Sequence, residues 1–206
     1  MLLQMKKYSG KLLSPLGKKI SHVPANYITI CSLVSCIVVC ISLAFQILPL
    51  AIIFLFLIEF FDQLDGVVAR IQGATKFGAF LDSTLDRYGD IFLYVGIMLG
   101  NYTEPWIVML SLVGAFLTSY TRARVEALGI SSLGGIGLLE RTDRVPILMI
   151  GTIFQFWFNN ALEWTVIILM IGGHFTAIQR IFYANRHLSK IRDKKIEKDP
   201  ETLSPN

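Results

Sequence analysis

Six long apolar stretches are the feature that most constrains how this chain can fold. A helix needs about 20 mostly apolar residues to cross a bilayer, and six segments approach that length. They are residues 27–47, 50–70, 78–100, 106–126, 145–159 and 162–182. Only 17% of the 206 residues are charged, whereas a soluble domain carries about a quarter. The sequence therefore predicts an all-α fold, an integral membrane bundle of six transmembrane helices, and disfavours a soluble enzyme.

The basic residues lie on one side of this predicted bundle. The short connections at residues 46–49, 101–105 and 158–163 contain no Lys or Arg, so all 19 basic residues lie at the other side. By the positive-inside rule, both termini and the Arg-bearing loops are predicted to be cytoplasmic. We therefore expect a multi-pass protein of the cell membrane.

The two ends of the chain differ from the bundle. Residues 2–20 combine leucines with five lysines and no acid, a pattern typical of an amphipathic helix on an anionic membrane surface. A solvated basic arm is the alternative. The predicted organisation is an amphipathic interfacial segment at 1–22, a membrane domain at 23–188 and a charged cytoplasmic tail at 189–206.

Four aspartates interrupt the second and third apolar stretches. Asp62 and Asp65 are three residues apart and Asp82 and Asp86 are four apart, so each pair shares one helix face. A carboxylate inside the membrane costs roughly 2.5–3.5 kcal/mol on insertion scales. From the helical rise, Asp62 and Asp86 lie about 12 Å from the cytoplasmic helix ends, and the other two about 6–8 Å. Because the two helices are antiparallel, we expect the four carboxylates to meet.

Clustered carboxylates repel one another unless cations neutralise them. Hard oxygen ligands favour Mg²⁺ or Mn²⁺, so the cluster predicts a site for two divalent ions. One alternative is that the acids pair with Arg70 and Arg87 at the interface. Another is a metal or proton transporter, whose buried acids form the transport path. A transporter site usually lies near the midplane between repeats, whereas these acids lie in the inner third and no repeat is evident.

The residues around the acids read D-x2-D-G-x2-A-R, followed by G-x3-D-x3-D. This pattern resembles the signature of the CDP-alcohol phosphotransferase family, also called class-I CDP-alcohol phosphatidyltransferases. The resemblance implies a six-helix membrane enzyme, commonly a homodimer. Such an enzyme transfers a phosphatidyl-type group from a CDP-linked lipid to an alcohol and releases CMP. No nucleic-acid partner is expected.

The resemblance also implies a role for each matching residue. Asp62, Asp65, Asp82 and Asp86 would bind two Mg²⁺ ions, with Mn²⁺ as the alternative, and Asp86 would be the general base. The donor, a CDP-linked lipid, would contact a second set of residues. This set is Asn26, Thr29, Gly66, Ala69, Arg70, Thr75 and Gly78. The chain departs from the family pattern in having seven residues between Arg70 and Gly78, where eight is commoner.

Three further segments carry arginines at the predicted cytoplasmic level. They read S-Y-T-R-A-R-V-E from Ser119, E-R-T-D-R from Glu140, and Q-R at Gln179. They resemble the acceptor-phosphate pocket of the phosphatidylinositol phosphate and archaetidylinositol phosphate synthases. The implied phosphate contacts are Ser119, Arg122, Arg141, Arg144 and Arg180, and the implied acceptor is an inositol phosphate, a small phosphorylated polyol. Glycerol 3-phosphate is the alternative acceptor. Glu59 and Asp90 receive no assigned role, although Asp90 lies one helical turn beyond Asp86.

Overall fold

The computed structural model describes residues 13–130 and 136–198. Over these residues the chain forms helices and no β-strand, so the predicted all-α class is confirmed. A short helix, α1, is described over residues 13–19. The longer helices are α2 (Ala25–Ala44), α3 (Leu48–Gln72), α4 (Lys76–Leu99), α5 (Pro105–Ala127), α6 (Arg141–Phe154) and α7 (Ala161–Lys198).

Length and apolar composition identify a membrane protein. Within the described residues, three helical segments are long and apolar enough to cross a bilayer, namely Ala25–Ala44, Pro105–Ala127 and Ala161–Ser189. The helices α3 and α4 have 25 and 24 residues, which is also a spanning length. Their acidic residues lower their hydropathy.

The helix α6 begins earlier than the sequence predicted. The apolar run predicted a helix over 145–159, but α6 extends from Arg141 to Phe154. The reason is a cap, because the Asp143 carboxylate accepts a hydrogen bond from the Glu140 backbone N–H at 2.9 Å. Such a bond satisfies a backbone donor at the start of a helix. The polar first turn that hydropathy missed therefore carries Arg141 and Arg144.

The last helix is longer than predicted. The sixth apolar stretch ends at residue 182, whereas α7 continues to Lys198. Helical structure therefore extends into the predicted charged tail at 189–206. At the other end of the chain, most of the predicted amphipathic segment 2–20 lies outside the described residues, which begin at residue 13.

The helices pack in two groups that meet along α6 and α4. The helix α2 packs against α3 and α4, and α5 packs against α7. Within the first group, a Cβ on Gly96 would lie 2.7 Å from the Cys40 Cα. Within the second, a Cβ on Gly173 would lie 3.0 Å from the Gly114 carbonyl carbon. Small residues thus allow close backbone contact, as is common between membrane helices.

The largest apolar cluster among the described residues joins the two groups. Val39, Leu55 and Ile97 of the first group are buried together with Leu148 of α6 and Leu162 of α7. A second, smaller cluster of Ile28, Leu64 and Val68 binds the start of α2 to the end of α3. The consequence for function is that the acidic ends of α3 and α4 are held between α2 and α6.

Candidate functional site

The four aspartates of the sequence motif lie on the facing ends of α3 and α4. Asp62, Asp82 and Asp86 each present a carboxylate oxygen, and these oxygens all lie within 4.8 Å of one another. Asp65, which is 7% exposed, lines a cavity together with these three residues. We call it the acidic cavity. The structure therefore brings the four acids together, as the antiparallel arrangement predicted.

The chemistry of this cluster fits divalent cations. The Oδ2 atoms of Asp65 and Asp86 are buried and have no hydrogen-bond partner among the described residues. An unsatisfied buried carboxylate oxygen is costly, and a hard cation would satisfy it. The donor set consists of carboxylates, which are ligands that Mg²⁺ and Mn²⁺ prefer. The residues present are therefore suitable for the metal that the motif implies.

Arg141 lies inside the acidic cluster. Its Nη2 donates to Asp62 Oδ1 at 3.3 Å and also contacts Asp86 Oδ1. The guanidinium partly balances the negative charge of the two carboxylates. Of the five predicted acceptor-phosphate residues, Arg141 is the one that lines the acidic cavity.

Arg144 forms a buried ion pair with an acid that the sequence left without a role. Its Nη1 donates to Asp90 Oδ2 at 2.5 Å, and its Nη2 donates to the Ala115 carbonyl oxygen at 2.9 Å. Arg144 and Asp90 are 5% and 7% exposed. Asp90 also lies 3.7 Å from Arg87 Nε. The Arg144 guanidinium thus ties α6 to α4 and α5.

The other three predicted acceptor residues lie on α5 and α7. Arg180 is buried, and it donates to the carbonyl oxygens of Ile136 and Thr118 at 3.0 and 2.5 Å. Ser119 Oγ donates to the Ala115 carbonyl oxygen at 3.2 Å. Arg122 is half exposed and pairs with Glu126 at 2.9 Å. These residues lie outside the lining of the acidic cavity.

A second cavity lies beside the acids, between the start of α2 and the facing ends of α3 and α4. We call it the donor groove. It is lined by all seven residues predicted to contact the CDP-linked lipid, which are Asn26, Thr29, Gly66, Ala69, Arg70, Thr75 and Gly78. Asp65, Asp82 and Thr29 line both the donor groove and the acidic cavity. The two cavities are therefore neighbours that share the acids.

Local structure explains the small residues of the donor groove. Thr75 Oγ1 caps α4 by accepting a hydrogen bond from the Gly78 N–H at 2.9 Å. A Cβ on Gly78 would lie 3.0 Å from that oxygen and 3.4 Å from Asn26 Oδ1. The missing side chain thus leaves room at the point where the cap, Asn26 and the groove meet.

The lining of the acidic cavity also includes Ser32, Glu59 and Thr142, all of which can form hydrogen bonds. We call the part of the cavity lined by these three residues and Arg141 the polar pocket. Glu59 accepts a hydrogen bond from Gln63 Nε2 at 2.9 Å. Glu59, which has no role assigned from the sequence, lies on the wall of this polar pocket.

Fold and site together define a helical membrane protein with a carboxylate cluster between a donor groove and a polar pocket. Residues 22–178 match the family model described as CDP-alcohol phosphatidyltransferase. The chain belongs to this family, and it is therefore a phosphatidyltransferase enzyme. Membership in this family contradicts the alternative prediction of a metal or proton transporter.

Several relatives are similar over most of the chain. An archaetidylinositol phosphate synthase of Methanothermobacter thermautotrophicus is 35% identical over 193 residues, 91% of this chain and 96% of that protein. The archaetidylinositol phosphate synthase of Pyrococcus horikoshii is 36% identical over 180 residues, covering 87% and 90% of the two chains.

A solved structure has the same fold. The crystal structure of Mycobacterium tuberculosis phosphatidylinositol phosphate synthase (PgsA1) with CDP-DAG bound has a TM-score of 0.75 and 24% identity. The similarity covers 84% of this chain and 94% of that one. A second structure of that protein, in complex with manganese and citrate, has a TM-score of 0.73.

Proposed function

We propose that this enzyme transfers the phosphatidyl group of a CDP-linked lipid to a hydroxyl of an inositol phosphate and releases CMP. One observation carries the proposal. The donor groove and the acidic cavity share Asp65 and Asp82, so a donor in the groove places its diphosphate beside an acceptor in the cavity. The names of the archaeal and mycobacterial relatives support inositol phosphate as the acceptor.

Asp62, Asp65, Asp82 and Asp86 would hold two Mg²⁺ ions, with Mn²⁺ as the alternative. When bound, these ions would neutralise negative charge on the diphosphate. The manganese complex of the mycobacterial protein supports a divalent metal, and the unsatisfied oxygens of Asp65 and Asp86 support these ligands.

The donor groove binds and orients the nucleotide end of the lipid. Gly66, Ala69 and Gly78 allow the diphosphate to approach the backbone closely, and Arg70 is exposed at the rim. A guanidinium there forms charge-assisted hydrogen bonds with phosphate oxygens. Asn26, at the start of α2, borders the nucleotide on the opposite wall.

Asp86 acts as the general base. Arg141 contacts its Oδ1, which orients the carboxylate that accepts the proton of the acceptor hydroxyl. The acceptor oxygen forms a bond to the lipid-side phosphorus as the bond from that phosphorus to the CMP oxygen breaks. CMP then leaves through the donor groove.

The acceptor occupies the polar pocket. Arg141 binds its phosphate. The part of the pocket lining that contacts its ring hydroxyls includes Glu59, Ser32 and Thr142. The other predicted phosphate contacts are Ser119, Arg122, Arg144 and Arg180. For Arg144 and Arg180, binding a phosphate means exchanging the Asp90 carboxylate or the Thr118 carbonyl that each now contacts.

In the membrane, α2 to α7 form the six spans, and α1 lies at the cytoplasmic interface. Both termini and the active site then face the cytoplasm, because the connections between α2 and α3, α4 and α5, and α6 and α7 contain no Lys or Arg. We also propose a homodimer, as the family resemblance implies.

The test is CMP release by purified protein in micelles with CDP-diacylglycerol and Mg²⁺. Inositol 1-phosphate, glycerol 3-phosphate, free inositol and serine are supplied as separate acceptors. Release with inositol phosphate alone, abolished by a chelator and restored by Mg²⁺ or Mn²⁺, supports the proposal. Release with glycerol 3-phosphate alone keeps the reaction and overturns the acceptor. An archaeal ether analogue of the donor tests the lipid.

A further inference from the structure

We infer that Gln72 is a positioning residue that holds the two walls of the donor groove together. It is the last residue of α3 and lines the rim of the groove. The inference rests on the proposed role of this groove in binding the CDP-linked lipid. It concerns a residue outside the aspartate motif.

The side-chain amide of Gln72 is bonded at every polar atom. Its Nε2 donates to the carbonyl oxygens of Ser21 and Val23 at 2.9 and 2.6 Å. Its Oε1 accepts a hydrogen bond from the Ala25 backbone N–H at 3.2 Å. A glutamine side chain has one acceptor oxygen and a two-proton donor, so Gln72 binds both sides of the turn that leads into α2.

One of these bonds replaces a missing helix cap. The first backbone N–H groups of a helix have no partner within it, and Ser, Thr, Asp or Asn usually supplies one. The residue before α2 is Pro24, and no side-chain cap bond is formed there. Gln72 caps the Ala25 N–H from a different helix, and this couples the start of α2 to the end of α3.

This coupling sets the width of the groove. Pro24, Asn26 and Thr29 form one wall, and Gly66 and Arg70 form the opposite wall. Gln72 connects the two walls at their open end. Gly73, which follows it at φ 92, ends α3 and lets the chain turn towards Thr75.

Other contacts hold the same elements together at depth. The cluster of Ile28, Leu64 and Val68 packs α2 on α3, and Gly17 of α1 lies against Val67. Removal of the Gln72 bonds is therefore expected to loosen the rim of the groove and to leave the bundle folded. A loosened rim weakens donor binding and leaves the acids and the polar pocket in place.

The test is a comparison of steady-state constants for Gln72→Ala and the unchanged protein. We expect the KM for CDP-diacylglycerol to rise about tenfold when these three hydrogen bonds at the exposed rim of the groove are lost. We expect kcat and the KM for inositol phosphate to change less than about twofold. Gln72→Glu keeps the acceptor for Ala25 and places a carboxylate oxygen beside two carbonyls, so its donor KM should rise further.

Gln155 supplies a matched control. Its Nε2 donates to the Asn159 carbonyl oxygen at 2.5 Å and its Oε1 accepts from the Leu162 N–H at 2.9 Å. It makes the same kind of backbone contacts at the connection between α6 and α7. Gln155→Ala should leave the donor KM unchanged.

The outcomes separate this inference from the proposed function. No CMP release by the unchanged protein with any CDP-linked lipid overturns the proposed function. Normal turnover by the unchanged protein, with equal donor KM values for Gln72→Ala and Gln155→Ala, overturns the role of Gln72. If Gln72→Ala does not fold, the donor KM is measured for Gln72→Met instead, because this variant keeps the side-chain length and removes the hydrogen bonds. An unchanged donor KM in Gln72→Met would refute the inference.

Discussion

At the scale of single residues, the two oxygens of Asp86 have different surroundings. Oδ1 contacts the Arg141 guanidinium, whereas Oδ2 has no hydrogen-bond partner in the described part of the chain. A general base must be held within hydrogen-bond reach of the proton that it accepts. Arg141 holds the Asp86 carboxylate in one orientation, which is consistent with the proposed role of base.

The substitution Asp86→Asn removes the basic oxygen and preserves the shape of the side chain. We expect kcat to fall about a thousandfold, within the range attributed to general bases, and the thermal unfolding midpoint to stay within a few degrees. CMP release and thermal unfolding in detergent provide the two measurements. Glu104→Gln, which changes an exposed acid outside both cavities, is the control. Near-normal turnover in Asp86→Asn would remove Asp86 from the role of base.

Arg141 is expected to act on the acceptor. The substitution Arg141→Gln removes a cation from the wall of the polar pocket, and we expect the KM for inositol phosphate to rise about tenfold or more. The donor KM should change little, because Arg141 does not line the donor groove among the described residues. Steady-state kinetics with each substrate varied in turn tests this. The exposed Arg124 provides a control in Arg124→Gln, and equal effects of the two variants would contradict the assignment.

The sequence predicted the residues of the site better than their partners. The spacings of the four aspartates predicted that each pair shares a helix face, and the seven residues predicted from the family resemblance to contact the CDP-linked lipid all line the donor groove. The partner of Arg144 was not predicted. Asp90 is 54 residues away from Arg144, and the spacing of four from Asp86 to Asp90 indicates only a shared helix face. Which cation meets that face depends on how α6 packs.

At the scale of helices, the buried pair between Asp90 and Arg144 joins α4 to α6. Their side chains are 8% and 6% exposed. Removing Arg144 leaves the buried Asp90 carboxylate with the longer 3.7 Å contact to Arg87, and a poorly compensated buried charge is costly. This contact also fixes the first turn of α6, on which Arg141 reaches the acids.

The substitution Arg144→Met should therefore destabilise the protein by about 3–5 kcal/mol. The double variant Asp90→Asn, Arg144→Met should recover only part of that loss, because the buried Asp90 charge is removed but Arg87, 3.7 Å from Asp90, also loses this partner. Unfolding in detergent with increasing denaturant measures both. The matched control is Arg122→Met, because Arg122 and Glu126 form an exposed pair that should contribute at most about 1 kcal/mol. Similar losses in Arg144→Met and Arg122→Met would contradict the proposed role of the buried pair.

Hydropathy predicted the positions of helices well and their polar ends poorly. The predicted span at 106–126 agrees closely with α5, Pro105–Ala127. The start of α6 was wrong by four residues, because a membrane span is recognised by apolar residues and the first turn of α6 is polar. Glu140 and Asp143, three residues apart, have the spacing of a capping box. A search for apolar stretches does not use such polar residues.

At the scale of the whole molecule, the proposed topology determines which side of the membrane each helix end faces. Lys76 begins α4 and Glu104 precedes α5, so they lie at opposite ends of α4. Both residues are exposed. If α4 spans the membrane as proposed, the two positions lie on opposite sides of it.

The test uses a variant in which the three native cysteines are replaced and one new cysteine is introduced. In intact cells, a membrane-impermeant maleimide should label Glu104→Cys and should label Lys76→Cys only after permeabilisation. CMP release by each variant checks that the fold is retained. The reverse labelling pattern would overturn the cytoplasmic placement of the active site.

The division between the two cavities has a consequence for how such enzymes diversify. The described lining of the donor groove comes entirely from residues 24–82, whereas the polar pocket also takes Arg141, Thr142 and Val145 from α6. If the donor groove binds the nucleotide and the polar pocket binds the acceptor, as proposed, substitutions in the second half of the chain can alter the headgroup of the product without disturbing recognition of the nucleotide. Related enzymes can thus keep the same CDP-linked lipid as substrate while the alcohol that they use changes. A chimera that exchanges the second half of the chain would then have the alcohol preference of the protein that supplied that half.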